Sequence, residues 1–361
     1  MIPEPFPSPA RILIIRPSAM GDVARTVPAL VSLRAAFPSA QIDWVVDAGL
    51  EAIIDEHPAL SRAVPFPKRT IKASLRRCNI GPLKRFLGDL REARYDAVFD
   101  LQGLARSAVI AVGCGAKTRY GLRDAREFAH LAYSHTAEAD PEMHTVDRML
   151  AVIAAAGVSP IRDMRLYTSP RARAWLTTQD WSAAPYAVLA PTSRWRSKQW
   201  PADRFAGVAE HLIGAGMRVV FVGARGEEDQ AGPVLALCGR DQRAVNMIGR
   251  TSVAELMGII ERAALIVAND SAALHISVGL DRPLIALFGP TRVHRVGPYG
   301  RGADVIQHLR PGDSMRHKDP SSAVMMERIT LREVIEMAER RLTGSGTEHR
   351  DEPPSAQTGN G

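Results

Sequence analysis

Four sets of residues in this chain have the types and spacing that proton-transfer and phosphate chemistry needs. The first is Asp22, which follows Gly21 inside residues 11–30, RILIIRPSAMGDVARTVPAL. The glycine permits a sharp turn, and a carboxylate behind it can face a ligand. Two readings stand open: a helix cap accepting backbone N–H groups, or a general base taking a proton from an attacking hydroxyl. The second set is Lys198 with Thr192 and Ser193. A lysine in a strand-end loop just before a helix offers a point charge to a phosphate, and the hydroxyls and first helical N–H groups add donors. The third is residues 269–275, NDSAALH, whose small Ser271, Ala272 and Ala273 let a diphosphate approach the backbone. Asp270 would repel such a group at close range and better suits backbone amides or sugar hydroxyls. His275 follows Ser271 by four and shares its helix face. The fourth is Glu227, which opens a helix after a glycine turn. A carboxylate there accepts from two ribose hydroxyls in dinucleotide folds, or is simply favoured by the helix dipole.

The elements that must hold these residues alternate regularly. Ile12, Leu13, Ile14 and Ile15 form a short apolar run of the kind a parallel sheet buries on both faces. Val23, Val27, Leu30 and Val31 then recur at helical spacing until Pro38. Further strands are expected at 41–46, 63–66 and 95–101, the last followed by Gln102 and Gly103. The region 119–132, with Arg123 and Arg126, reads as irregular. His144, Asp147 and Arg148 start a helix running through Ala156, with His144 and Arg148 on one face. Residues 162–181 read as the connection to a second α/β domain. Its strands fall at 186–190, 218–222, 265–268 and 283–288, and Pro201 is expected at the first position of a helix. Leu331, Val334, Ile335 and Ala338 mark a final amphipathic helix.

Composition narrows the class. A chain of 361 residues with 46% hydrophobic and 24% charged side chains fits two domains with ordinary cores. The formal charge of +7 suits an anionic ligand or an anionic membrane surface without choosing between them. Much of that charge gathers in residues 68–94, which hold nine Lys or Arg against Asp89 and Glu92. This stretch is either a solvated helix face or a landing strip for phosphates and carboxylates at a membrane. Cys78, Cys114 and Cys238 are too few and too scattered for disulfides or a zinc site. The N-terminus lacks the signature of a signal peptide and no apolar run spans a bilayer, so a cytoplasmic protein with at most peripheral membrane contact is expected. Neither G-x-G-x-x-G nor a Walker loop is present, and no cluster has metal-ligand spacing. A diphosphate leaving group would then rely on lysine and backbone dipoles, with no metal and no cofactor.

Taken together, SAMGDVARTVPAL, IDWVVDAGL, YDAVFDLQGLARSA, DARE at 124–127, HTVDR at 144–148, the TSRWRSKQWP loop, NDSAALHISVGLDRP and FGPT with GPYG resemble the lipopolysaccharide heptosyltransferases of glycosyltransferase family 9, nearest the type I pattern. Ala19 stands where that pattern often has a second serine, and Ala272 where the family has glycine. The resemblance implies an α/β GT-B fold of two Rossmann-like domains with parallel sheets facing across a cleft. It implies an acceptor domain at 11–170 after a flexible 1–10, and a nucleotide-sugar domain at 171–325. A C-terminal helix at 326–343 would pack back on the first domain, before a disordered 344–361. By the same resemblance Asp22 is the catalytic base. Thr192, Ser193, Lys198, Glu227, Asp270, Ala272 and His275 hold the ADP-sugar donor. Ser18, Gln102, Arg123, Arg126 and His144 are candidates for a Kdo–lipid A acceptor at the cytoplasmic face of the inner membrane. No nucleic-acid partner is implied. The alternatives are a related transferase with another nucleotide sugar or acceptor, a nucleotide-sugar epimerase, and a non-catalytic sugar-nucleotide-binding protein.

Overall fold

Short apolar runs become strands here because helices cover both faces of the sheets they form, leaving no polar alternation. The computed structural model describes residues 9–344. The expectations of a flexible 1–10 and a disordered 344–361 therefore fall almost wholly outside the described residues. Two compact units meet after Ser169.

The first unit runs β1 (Arg11–Ile15), α1 (Met20–Ala36), β2 (Gln41–Asp47), β3 (Arg62–Phe66), α2 (Lys68–Leu75), α3 (Gly81–Glu92), β4 (Ala97–Asp100), α4 (Ala105–Gly113), β5 (Thr118–Leu122), β6 (His135–Ala137) and α5 (Thr145–Ala154). Its sheet is wholly parallel in the order β3-β2-β1-β4-β5-β6. Leu13, Ile15, Val45 and Val98 pack with Ile71 of α2, Phe86 and Leu90 of α3 and Ile110 of α4. The region read as irregular at 119–132 in fact holds β5 and a 3-10 turn, Ala129–Ala132. The misreading has a cause: β5 is short, half-polar and interrupted by Gly121, over which the Tyr133 ring lies.

The second unit runs α6 (Pro170–Thr177), β7 (Tyr186–Ala190), α7 (Ala202–Gly214), β8 (Arg218–Phe221), α8 (Gly232–Arg240), β9 (Ala244–Asn246), α9 (Val253–Arg262), β10 (Leu265–Asn269), α10 (Ala272–Gly279), β11 (Leu284–Phe288), α11 (Val293–Val296), β12 (Val305–Gln307), α12 (Val324–Glu327) and α13 (Leu331–Leu342). Its sheet is parallel in the order β12-β11-β10-β7-β8-β9. The expected connection contains α6, which packs on α9. Pro201 is the N-cap of α7 rather than its first residue.

The expected return of the final helix to the first domain is corrected. The apolar face of α13 lies in the second unit's own core, where Val334, Met337 and Ala338 join Phe205, Val208 and Leu212 of α7. Leu331 packs so closely on Gly207 that a Cβ there would meet it at 2.8 Å. Trp200 Nε1 donates to Ile329 O at 2.9 Å, and Arg341 pairs with the buried Asp304 at 2.5 Å. The heptad-like apolar stripe was legible; the surface that receives it was not.

In each sheet the chain winds outward in both directions from a central pair. That switch lies between β1 and β4 in the first unit and between β7 and β10 in the second. Open α/β sheets bind ligands beyond the strand ends at such a point.

Candidate active site

The first switch point holds Asp22. Residues 16–19 leave β1 and α1 begins at Met20, which makes Asp22 its third residue. Its Oδ2 accepts the N–H of the N-cap Ala19 at 3.0 Å, so the capping reading is correct as far as it goes. The rest of the carboxylate's surroundings exceed what a cap needs. Oδ1 is shared by Arg16, at 3.2 Å, and Arg25, one helical turn on; both guanidinium groups are buried, while the Asp22 side chain is a quarter exposed. Burial works against ionisation, but the charges of Arg16 and Arg25 and the Ala19 N–H outweigh it and hold this carboxyl far below the usual range. Arg16 also donates to Leu101 O, which ties the ends of β1 and β4 together.

Beyond β4, Gln102 and Gly103 donate their N–H groups to Asp100 Oδ1 at 2.9 and 3.1 Å, and Tyr133 donates to Oδ2 at 2.7 Å. Burial pushes the Asp100 carboxyl up, partly offset by these donors. Gly103 has φ +66, which a side chain would strain, and its carbonyl accepts from Arg126 N. The loops after β4 and β5 are thus one hydrogen-bonded platform beside Asp22. Gln102 Oε1 is buried on it without a hydrogen-bond partner. Ser18 is half-buried in the turn before the cap.

The second switch point holds Lys198 in a 3-10 turn, Arg196–Lys198, after β7. Its Nζ lies 2.6 Å from Asp270 Oδ2, with both side chains largely buried. Asn269 fixes this loop by donating to Pro191 O at 2.8 Å and accepting from Trp200 N at 3.1 Å. Ser197 donates to His317 O at 2.6 Å. Thr192 Oγ1 donates to Glu227 Oε2 at 2.6 Å, an approach open only because residue 223 is glycine; a Cβ there would stand 2.5 Å from Thr192 Oγ1. Gln230 accepts from Ser193 N and from Gln199 at 3.1 and 2.8 Å. Ser271 is the N-cap of α10 but makes no capping bond, and its buried Oγ has no hydrogen-bond partner. Ala272 is the first residue of that helix and His275 is buried within it.

These positions change several expectations. Glu227 does not open an α-helix; it caps a short 3-10 turn, Glu228–Ala231, that leads into α8. Asp270, expected to bond amides or hydroxyls, is the partner of Lys198, because a buried carboxylate needs a nearby cation. His144 is the N-cap of α5, with Nδ1 accepting from Val146 N at 3.1 Å, and Arg148 pairs with Asp124 at 2.6 Å rather than sharing a ligand face with it. Arg123 pairs with Glu138 on the surface, and Arg126 is exposed. Arg16, Arg25, Asp100 and Gln230 were missed. Arg25 follows Asp22 by three on a helix, a spacing that could have found it; the others meet their partners only through the fold. His317 was also missed. Burial, then the nearby charges of Lys198 and Lys318, lower its pKa.

A cavity of about 840 Å³ opens at the N-terminal ends of β1, β4 and β5, the opposite end of the first sheet from Asp22, lined by Arg91, Arg94, Asp96 and Lys117 among others.

Comparison with known proteins identifies the family and the fold. Residues 83–324, more than half of the chain, match glycosyltransferase family 9 (heptosyltransferase). Lipopolysaccharide heptosyltransferase 1 of Pseudomonas aeruginosa is 34% identical over 297 residues, covering 81% of this chain and 82% of the relative. Among solved structures, E. coli ADP-heptose lipopolysaccharide heptosyltransferase II superposes with a TM-score of 0.76 at 26% identity, covering 93% of this chain and 99% of that one. E. coli heptosyltransferase WaaC with ADP-2-deoxy-2-fluoro heptose gives 0.70 at 26% identity, covering 91% and 99%. The two Rossmann-like units are accordingly of the GT-B type, and the chain belongs to glycosyltransferase family 9, the heptosyltransferases.

Proposed function

We propose that this protein transfers L-glycero-D-manno-heptose from ADP-heptose to a Kdo–lipid A inner-core acceptor in lipopolysaccharide synthesis, with inversion at the anomeric carbon. One observation carries the reading: the two switch points bear complementary chemistry, an ionised carboxylate on one sheet and a lysine–hydroxyl cradle on the other. Relatives whose names or bound ligands include lipopolysaccharide and ADP-heptose support the choice of substrates. The highest identity quoted above is to a type 1 enzyme, in line with the type I resemblance from which a Kdo acceptor is expected.

In this mechanism the acceptor hydroxyl attacks the anomeric carbon as Asp22 Oδ2 takes its proton. The bond from that carbon to the diphosphate oxygen breaks, and ADP departs with the electron pair. Arg16 and Arg25 cost Asp22 basicity but keep it ionised. A weak base is sufficient because the hydroxyl becomes acidic as its oxygen bonds to carbon. Lys198, Ser271 and the first N–H groups of α10 receive the leaving diphosphate, with no metal required. Thr192, Ser193 and Glu227 hold the nucleoside, and Gln102 and Arg126 face the acceptor. Peripheral contact of the basic segment 68–94 with the anionic cytoplasmic face of the inner membrane brings the enzyme to a lipid-linked acceptor.

The test is ADP release from ADP-heptose, compared with UDP-sugars, with and without a delipidated Kdo acceptor and in the presence and absence of EDTA. Acceptor-dependent release from ADP-heptose, unchanged by EDTA, is expected. Donor turnover without acceptor would indicate an epimerase or hydrolase instead.

A further inference from the structure

The exposed apolar side chains of this protein are unevenly placed. Of eleven large hydrophobic residues exposed among the described residues, six lie on one helical layer of the first unit: Leu75, Ile80, Val109, Val112, Phe128 and Leu131. In that layer α2 packs on α3, α3 on α4, and α4 on the 3-10 turn Ala129–Ala132. Phe128 and Leu131 are the most exposed of all, at 79% and 76%. The turn that presents them is held in place. Glu127 and Phe128 are consecutive non-glycine residues with φ +56 and +60, a left-handed backbone that side chains disfavour. Glu127 accepts from Ala105 N at 3.1 Å, and Ala129, Tyr133 and Ala108 bury the underside of the turn against α4. A fixed turn that aims a phenylalanine and a leucine into solvent is not explained by the unit's own packing.

The cations on the same layer indicate what covers it. Arg69, Lys72, Arg76, Arg77, Lys84 and Arg85 are all exposed on or between α2 and α3. Apolar side chains set among exposed cations match an anionic bilayer surface, where rings and aliphatic chains enter the interface and Lys and Arg meet lipid phosphates.

We propose that Phe128 and Leu131 insert into the anionic phospholipid surface on which the lipid-linked acceptor lies, with the α2–α3 cations as their electrostatic partners. This rests on the membrane contact proposed above and assigns it an apolar anchor. It also places the anchor on the turn whose other end, at Arg126, bonds the Gln102–Gly103 platform beside Asp22.

The experiment uses the full chain and sedimentation with vesicles of phosphatidylglycerol and phosphatidylethanolamine, or of phosphatidylcholine alone. The wild type is expected to partition onto the anionic vesicles and weakly onto phosphatidylcholine. Phe128→Ser with Leu131→Ser should lose about tenfold or more of that partitioning. Transfer to a soluble, delipidated acceptor should stay unchanged, and transfer to vesicle-borne acceptor should fall. Phe128→Trp should show a blue-shifted emission, quenched by brominated lipid, on anionic vesicles only. Equal partitioning of wild type and double variant would overturn the proposal. So would a concentration-dependent dimer that the double variant abolishes, since a second copy would then cover the face. Vesicle binding by a protein that transfers nothing would sink the heptosyl reading and leave the anchor standing.

Discussion

In the first unit a carboxylate is held between two buried arginines; in the second a lysine is held on one buried carboxylate. Both arrangements sit at the same topological place in a parallel sheet, yet they prepare opposite events. The arginine pair fixes Asp22 in one protonation state across the neutral range, so the group is ready but not strongly basic. The Lys198–Asp270 pair is self-neutralised, so an incoming diphosphate must share the lysine with Asp270. The first site is built to keep a charge, and the second to redirect one.

Substitutions can break this contrast. Asp22→Asn keeps the Ala19 cap acceptor but removes the base, and turnover should fall roughly a hundred- to ten-thousand-fold. Full activity in steady-state ADP release would discard the assignment. Lys198→Ala removes the phosphate contact and strands Asp270 without its cation. Donor affinity and turnover should both fall, by about a hundredfold in kcat/KM, and adding Asp270→Asn should recover thermal stability but not affinity. Wild-type donor binding in the single variant would contradict the lysine's role.

Arg25→Ala sharpens the comparison through pH. Removing one of the charges that lower the Asp22 carboxyl lets it rise toward its ordinary 3.8, so the acid limb of the activity profile moves up in pH. The ion-pair contribution of Asp22 to stability is complete above that ordinary value and is lost as pH falls toward the lower folded one; the variant should lose less on acidification. An unmoved acid limb would mean that Arg25 does not act through Asp22. The smallest effect is expected from Thr192→Val, which removes the hydroxyl on Glu227 and should raise the donor KM several-fold with little change in kcat. An unchanged KM would leave that pair a purely structural contact.

The sequence made the central strands legible because Ile12–Ile15, Val188–Ala190 and Leu284–Phe288 are buried on both faces and carry nothing polar. It hid the edge strands β6, β9 and β12 and the short β5 beside β6, whose residues are partly exposed and mixed. The places of Asp22 and Lys198 beyond strand ends were legible from position, whereas the roles expected of them came from the family resemblance. Their partners were not, because Arg16–Leu101, Lys198–Asp270 and Thr192–Glu227 join distant stretches that only the parallel sheets bring together. The capping role of His144 was not legible because a capping imidazole and a ligand-facing one look alike in a sequence.

The central claim is a division of labour, and the direct test is to titrate ADP calorimetrically into Asp22→Asn and Lys198→Ala side by side, then follow single-turnover heptose transfer from prebound donor in each. The account predicts that Asp22→Asn binds ADP like the wild type and barely transfers, while Lys198→Ala is impaired in both. Weak ADP binding by the first variant, or wild-type ADP binding by the second, would contradict it.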